Sequence, residues 1–184
     1  MSDLLRTLAR ANRLANHRLH AAVAGLDHAA FHAPRTGFFP SLWATLNHVL
    51  IVDWYYVAAL YREPDPRRAF ATETPFDDLP SLAQAQAVSD DRLIAWCDAA
   101  DDAAWERILE LPRAGGVVQR DPARYIVLHT LTHAIHHRGQ AHGMLSGTAV
   151  AAPQLDEFVV PSEANLRAGD LAAVGFTERD LFRR

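Results

Sequence analysis

The 184-residue sequence contains no lysine; all 18 of its basic residues are arginines. That absence excludes a Schiff-base lysine and a lysine-dependent phosphate loop. A single cysteine, Cys97, excludes an intrachain disulfide and any cysteine-rich zinc site, and it fits a reducing compartment. Long hydrophobic runs are missing as well. The most apolar stretch, residues 46–61, is interrupted by Asn47, His48 and Asp53 and falls short of the roughly 20 residues a membrane-spanning helix needs. The opening Met-Ser-Asp-Leu-Leu-Arg lacks the basic-then-apolar pattern of a secretory signal, so a soluble cytoplasmic protein with no membrane partner is expected. Excess positive charge is also absent. A formal net charge of -4 gives a nucleic-acid partner no electrostatic support.

The chain does have ten histidines, and four of them crowd into His129-Thr-Leu-Thr-His133-Ala-Ile-His136-His137-Arg138-Gly139-Gln140. At 49% hydrophobic and 22% charged residues, the composition is that of an ordinary globular domain, and the length predicts one domain over residues 1–184.

Hydrophobic spacing predicts four long helices. The first runs from Ser2, as a cap, to Gly25, with a stripe of Leu4, Leu5, Leu8, Ala11, Ala15, Leu19, Ala22 and Val23. A loop over residues 26–40 carries Phe38 and Phe39. Exposing two phenylalanines is costly, so this loop is expected to pack back on the helices. Ser41 caps a second helix to about Tyr61, apolar over most of its circumference and therefore central. Ser81 begins a third, with Leu82, Ala85, Val88, Leu93, Trp96 and Cys97 as core candidates, and Asp101 caps a short continuation through Trp105. Residues 107–119 read as a small β-hairpin around Gly115-Gly116. Asp121-Pro122 reads as a capping carboxylate with proline in the first turn, opening a fourth helix that Gly147 ends. Beyond it, residues 163–184 are polar, with one short helical turn at Thr177-Glu-Arg-Asp.

The fourth helix carries the chemistry. His129, His133 and His137 recur every four residues, so their imidazoles form one stripe. The outer two are about 12 Å apart along the axis at 1.5 Å per residue. A metal–nitrogen bond is only about 2.0–2.1 Å. One ion therefore takes an adjacent pair, and spacing leaves both His129/His133 and His133/His137 open. His48, alone within the apolar second helix, is either a core histidine bonded to backbone or a further ligand. His17, His20, His28, His32 and His142 read as ordinary solvated or hydrogen-bonded residues.

Three segments resemble the DinB family, within the DinB/YfiT-like metalloenzyme superfamily: Leu46-Asn47-His48 through Asp53, His129-x3-His133-x3-His137-Arg138-Gly139-Gln140, and Asn12-Arg-Leu-Ala-Asn16-x-Arg18-Leu19. The resemblance covers residues 3–160 or so and leaves 161–184 as an extension that either closes over the site or mediates association. It implies an all-α four-helix bundle, usually a homodimer, holding one divalent ion, zinc or nickel, on His48, His133 and His137. It also implies a metal-dependent enzyme of the thiol S-transferase kind, acting on a small-molecule substrate with a low-molecular-weight thiol. A metal-dependent hydrolase and a non-catalytic metal-binding protein are the alternatives. Asp53 and Glu163 are candidate proton carriers, and Tyr55 and Tyr56 candidate pocket residues.

Overall fold

A computed structural model describes residues 2–182. The chain is mostly helical, with one small antiparallel sheet. In order, the elements are α1 (Ser2–Val23), α2 (His28–His32), α3 (Leu42–Leu60), α4 (Leu79–Ala99), α5 (Asp102–Glu106), β1 (Ile108–Pro112), β2 (Val118–Pro122), α6 (Ala123–Ser146), α7 (Ala164–Val174) and α8 (Glu178–Leu181). Four long helices carry the core: α1 packs on α4 and α6, and α3 packs on the same two. Among the described residues no helix is long and apolar enough to cross a membrane.

Several boundaries follow from local chemistry. The Ser41 side chain accepts from the Ala44 N–H at the start of α3, and Asp101 accepts from Ala104 at the start of α5. Such caps contribute about 1 kcal/mol each. α3 is apolar nearly all round and is central, with Leu46, Leu50, Tyr55, Val57 and Leu60 all buried. Gly115 and Gly116 have φ of 73° and 78°, a left-handed turn that glycine adopts without a Cβ clash, and they join β1 to β2.

Other boundaries differ from the sequence expectation. Ser2 is already helical, and Met1 before it lies outside the described residues, as do Arg183 and Arg184 at the end of the extension. α4 starts at Leu79; its cap is Asp78, whose carboxylate accepts from the Ser81 N–H. Asp121 caps nothing. The hairpin register pairs Leu109 with Asp121 and Ile108 with Pro122, so both residues belong to β2, and α6 begins after Pro122 with no side-chain cap. Phe38 is 78% exposed, against the expectation that both loop phenylalanines pack inward. Leu4 and Val88 are exposed too, whereas Asn12, Asn16, Gln86 and Asp90 are buried. The contact between α1 and α4 is therefore partly polar.

The C-terminal segment is ordered against α1. Leu171 and Leu181 pack with Phe158 against Ala11, Leu14 and Ala15. Arg18 reaches Asp170 and Glu157, while Arg167, fully buried, pairs with Glu178. Thr177 and Asp180 form a reciprocal capping box at α8. The short turn at Thr177 thus matches the expectation, and α7 replaces what read as polar tail.

Candidate metal centre

His48 on α3 meets His133 and His137 on α6 because these two helices pack side by side. One ring nitrogen from each lies within 4.8 Å of the other two. His48 Nε2 and His133 Nε2 are 3.1 Å apart. Ring centroids are 4.8 Å apart for His48 and His137 and 4.4 Å for His133 and His137. Of the two pairs that spacing allowed, His133/His137 is the one that joins His48.

Burial keeps these imidazoles neutral. It lowers the His48 pKa to about 4, helped by His137, and the His133 pKa to about 3, helped by His137 and His48. The His137 pKa is lowered by burial too, against the opposing hydrogen bond that its Nδ1–H donates to Gln140. Neutral imidazole is the form that offers a lone pair.

The tautomer of His137 follows from its partner. Its Nδ1 lies 2.9 Å from Gln140 Oε1, and an amide oxygen only accepts, so the proton sits on Nδ1. The lone pair is then on Nε2. Gln140 Nε2 in turn lies 3.0 Å from His136 Nε2 and donates to it. Spacing could have found this link, since Gln140 is one helical turn from both rings.

One side of the rings is covered by the loop before α3. Phe39 lies 4.3 Å from the His48 ring and 5.5 Å from the His137 ring, centroid to centroid. Gly37 sits where a Cβ would meet the terminal methyl of Met144, so the loop approaches α6 closely there. Phe39 was visible in the sequence only as a phenylalanine needing cover.

Two polar atoms test whether a cation fits. His133 Nδ1 is buried and has no partner. With a proton on that atom, His133 Nε2 presents a lone pair to His48 Nε2. A hydrogen bond from a His48 Nε2–H would satisfy one of these nitrogens and leave His137 Nε2 unused. A single cation would take all three. Two donors 3.1 Å apart, each about 2.0–2.1 Å from one ion, subtend about 100° there, between octahedral and tetrahedral angles. The three imidazoles are therefore compatible with one divalent ion.

The remaining candidates fall outside this group. His129 faces Tyr56 at 5.1 Å and lies 6.3 Å from His133, centroid to centroid. Tyr55 donates to the Pro112 carbonyl and Tyr56 accepts from Arg113, so both pack under the hairpin. Asp53 is buried and accepts from Gln86, and its pKa is raised to about 8 by burial and by Asp90. Glu163 lies at the start of α7. Neither carboxylate is hydrogen-bonded to the three imidazoles.

Arg138 explains much of the rest of the motif. It is buried, donates to Asn12 Oδ1 and, over 2.9 Å, to Asn16 Oδ1. The amides of Asn12 and Asn16 both donate to Asp90 on α4. Three helices are thereby fastened at the level of His137, and α6 is fixed in rotation.

Three imidazoles delivered by two packed helices define a helical protein with a candidate mononuclear metal centre. The DinB family model matches residues 1–165, and the chain belongs to the DinB family. No curated protein matches it.

Proposed function

We propose that this protein is a metal-dependent enzyme built on a DinB-type four-helix bundle, with His48, His133 and His137 holding one zinc or nickel ion. The observation that carries the proposal is the convergence of three neutral imidazoles on a 3.1 Å gap between two Nε2 atoms. Three protein ligands leave a coordination position open, as catalytic sites do. When bound, the ion would supply Lewis acidity that lowers the pKa of a thiol or water.

The chain's own residues favour a thiol. All three donors are neutral, and the orienting partner of His137 is the uncharged Gln140. The full positive charge of the ion is then available to stabilise a thiolate. A hydrolase also needs a proton acceptor, and the nearest candidates by sequence, Asp53 and Glu163, make no hydrogen bond to the rings. Phe39 places an apolar surface beside His48, which suits a thiol or an apolar electrophile and keeps water away. Gln140 holds the proton on His137 Nδ1 throughout. The substrate class is an electrophile that accepts a low-molecular-weight thiol. A homodimer and a cytoplasmic location belong to the same proposal; sedimentation at micromolar concentration checks the first.

The decisive experiment measures metal per chain, then thiol consumption against a model electrophile in the zinc- and nickel-loaded protein. About one ion per chain and turnover that disappears in His133→Ala are expected. One ion per chain without thiol turnover would leave a metal-binding protein that is not this transferase. No stoichiometric divalent ion would overturn the proposal altogether.

A further inference from the structure

A cavity lies elsewhere in the molecule. It has a volume of about 590 Å³ between α1, α2 and α4, and none of His48, His133 or His137 lines it. That volume is in the range of small-molecule sites. Its buried lining residues are Asn16, His20, Val23, Phe31, Gln86 and Asp90. Four of these six are polar, which is unusual for an inner wall and needs a reason.

Most of their hydrogen-bonding capacity is consumed internally. The Asn16 amide donates to both Asp90 oxygens, and its carbonyl accepts from Arg138. Asp90 also receives Asn12 and Gln86. Gln86 Nε2 divides itself between Asp53 and Asp90. Two groups that face the cavity are left over. His20 is only 8% exposed, yet its ring makes no hydrogen bond among the described residues. Gln86 Oε1 receives none either. The only other open atom of this network, Asp53 Oδ1, belongs to a residue that does not line the cavity.

The helix pairing puts the two open groups at one level. Asn16 on α1 bonds Asp90 on α4, and the helices run antiparallel, as the pairs Arg6 with the Cys97 carbonyl and Arg13 with Asp91 also show. One turn beyond Asn16 is His20. One turn before Asp90 is Gln86. Both therefore stand at the next rung, on the cavity wall.

Their chemistry selects a ligand. Burial and the charges of Arg138 and Arg13 hold the His20 imidazole neutral, so it offers one N–H and one lone pair. Gln86 Oε1 only accepts. A hydroxyl matches both, donating to the amide oxygen and accepting from the imidazole. A carboxylate has no proton for Gln86 and would face Asp90, while an ammonium has no lone pair for the imidazole N–H and would add to the positive charges of Arg13 and Arg138. Phe31, Val23 and Leu79 supply apolar walls. We propose that the cavity between α1, α2 and α4 is a binding site for a small uncharged alcohol or phenol, its hydroxyl bridging His20 and Gln86 Oε1 and its apolar body against Phe31.

Phenol and cyclohexanol are the probes, titrated into the full chain with isotope-labelled histidine while the His20 ring resonances are followed. Benzoate and benzylamine serve as charged comparators of the same size. The expected result is saturable movement of His20 with an alcohol at a dissociation constant on the order of 1 mM, as suits so small a probe. Both charged compounds should bind at least tenfold more weakly. His20→Leu should weaken the alcohol about tenfold, the effect of one lost hydrogen bond. Ala83→Trp should fill the cavity and abolish binding, read by the thermal shift that phenol gives. The proposal is overturned by the absence of saturable His20 movement with both alcohols, by benzoate or benzylamine binding as tightly, or by undiminished binding in His20→Leu. The wild-type titrations decide the matter even where a variant fails to fold.

Discussion

Among the described residues, two groups of side chains bring three potential ligand atoms within 4.8 Å of one another: His48, His133 and His137, and His28, His32 and Asp77. They look alike by distance and differ in every other respect. His28 and Asp77 are 63% and 77% exposed. His28 Nε2 is already 3.1 Å from the Asp77 carboxylate, and His32 Nε2, 2.9 Å from the Asp77 carbonyl, can only be donating to it. The rings of His28 and His32 stack, and His32 stacks again on Trp43. The Nε2 atoms of both rings are thus already engaged by Asp77. In the other group two Nε2 atoms face each other, His137 Nε2 is freed by Gln140, and the backbones are long helices locked by Arg138. Proximity is common to both; unspent lone pairs on rigid supports belong to one.

Metal analysis breaks the comparison most directly. Three ligands share a binding free energy on the order of 10–16 kcal/mol, so losing one costs roughly 10³-fold in affinity. His133→Ala or His48→Ala should carry almost no metal after dialysis, and His28→Ala should match wild type. Equal occupancy in His48→Ala and wild type would put the ion somewhere else.

Next in size is Arg138→Met. It leaves Asp90 and its amide partners without the buried cation, a loss on the order of 3 kcal/mol in urea unfolding. Arg120→Met, which removes an exposed pair with Glu110, should cost under about 1 kcal/mol. Similar losses for both would mean the lock on α6 is not one.

Gln140→Leu keeps all three donors but lets His137 choose its tautomer. Metal affinity should fall about 10- to 100-fold, the usual cost of losing such an orienting partner. His136→Ala, on the far side of the same amide, should change it far less. A full-strength site in Gln140→Leu would refute the orienting role.

The smallest effect is a pH slope in metal-free protein. Unfolded histidines titrate near 6.5, whereas folded His48 and His133 hold off protonation to about 4 and about 3. Between those values the unfolded chain binds more protons, so stability falls as the pH drops from about 6.5 to about 4. Buried His20, at about 3, adds to the same slope. Asp53 and Asp90 act oppositely: raised to about 8 and about 6, they stay protonated where the unfolded carboxyls have ionised, and stability falls as the pH rises from about 4 to about 8. Replacing His48 and His133 by asparagine should flatten the acid limb only, and Asp53→Asn the alkaline limb only. Chemical denaturation at stepped pH checks both; an unchanged acid limb in the double variant would count against the shifts.

Local chemistry was legible in the sequence, and partner choice across the molecule was not. Ser41 and Asp101 cap because each needs only the amide three residues on. Asp121 does not, because pairing with Leu109 on the preceding strand claims it. The polar contact of Asn12, Asn16, Gln86 and Asp90 reads in sequence as a solvated face, since no periodicity separates a buried polar stripe from an exposed one. Arg167 hid α7 for the same reason: a buried arginine counts as polar until its partner, Glu178, is seen. Of the centre itself, spacing supplied an adjacent pair and the DinB resemblance chose His137 and added His48, while the role of Gln140, one turn from His137 on the same helix, emerged only from the ring geometry.

Cys97 has a practical consequence. It is fully buried in the α4 core, and burial pushes its thiol up to about 12. Because the chain also has no lysine side chain, neither of the two usual conjugation chemistries finds a reactive side chain on the folded wild-type surface. A single cysteine introduced at Phe38, 78% exposed beside His137, would then be the one labelled position. A fluorophore or spin label there would report on the covering loop with no background from the native thiol.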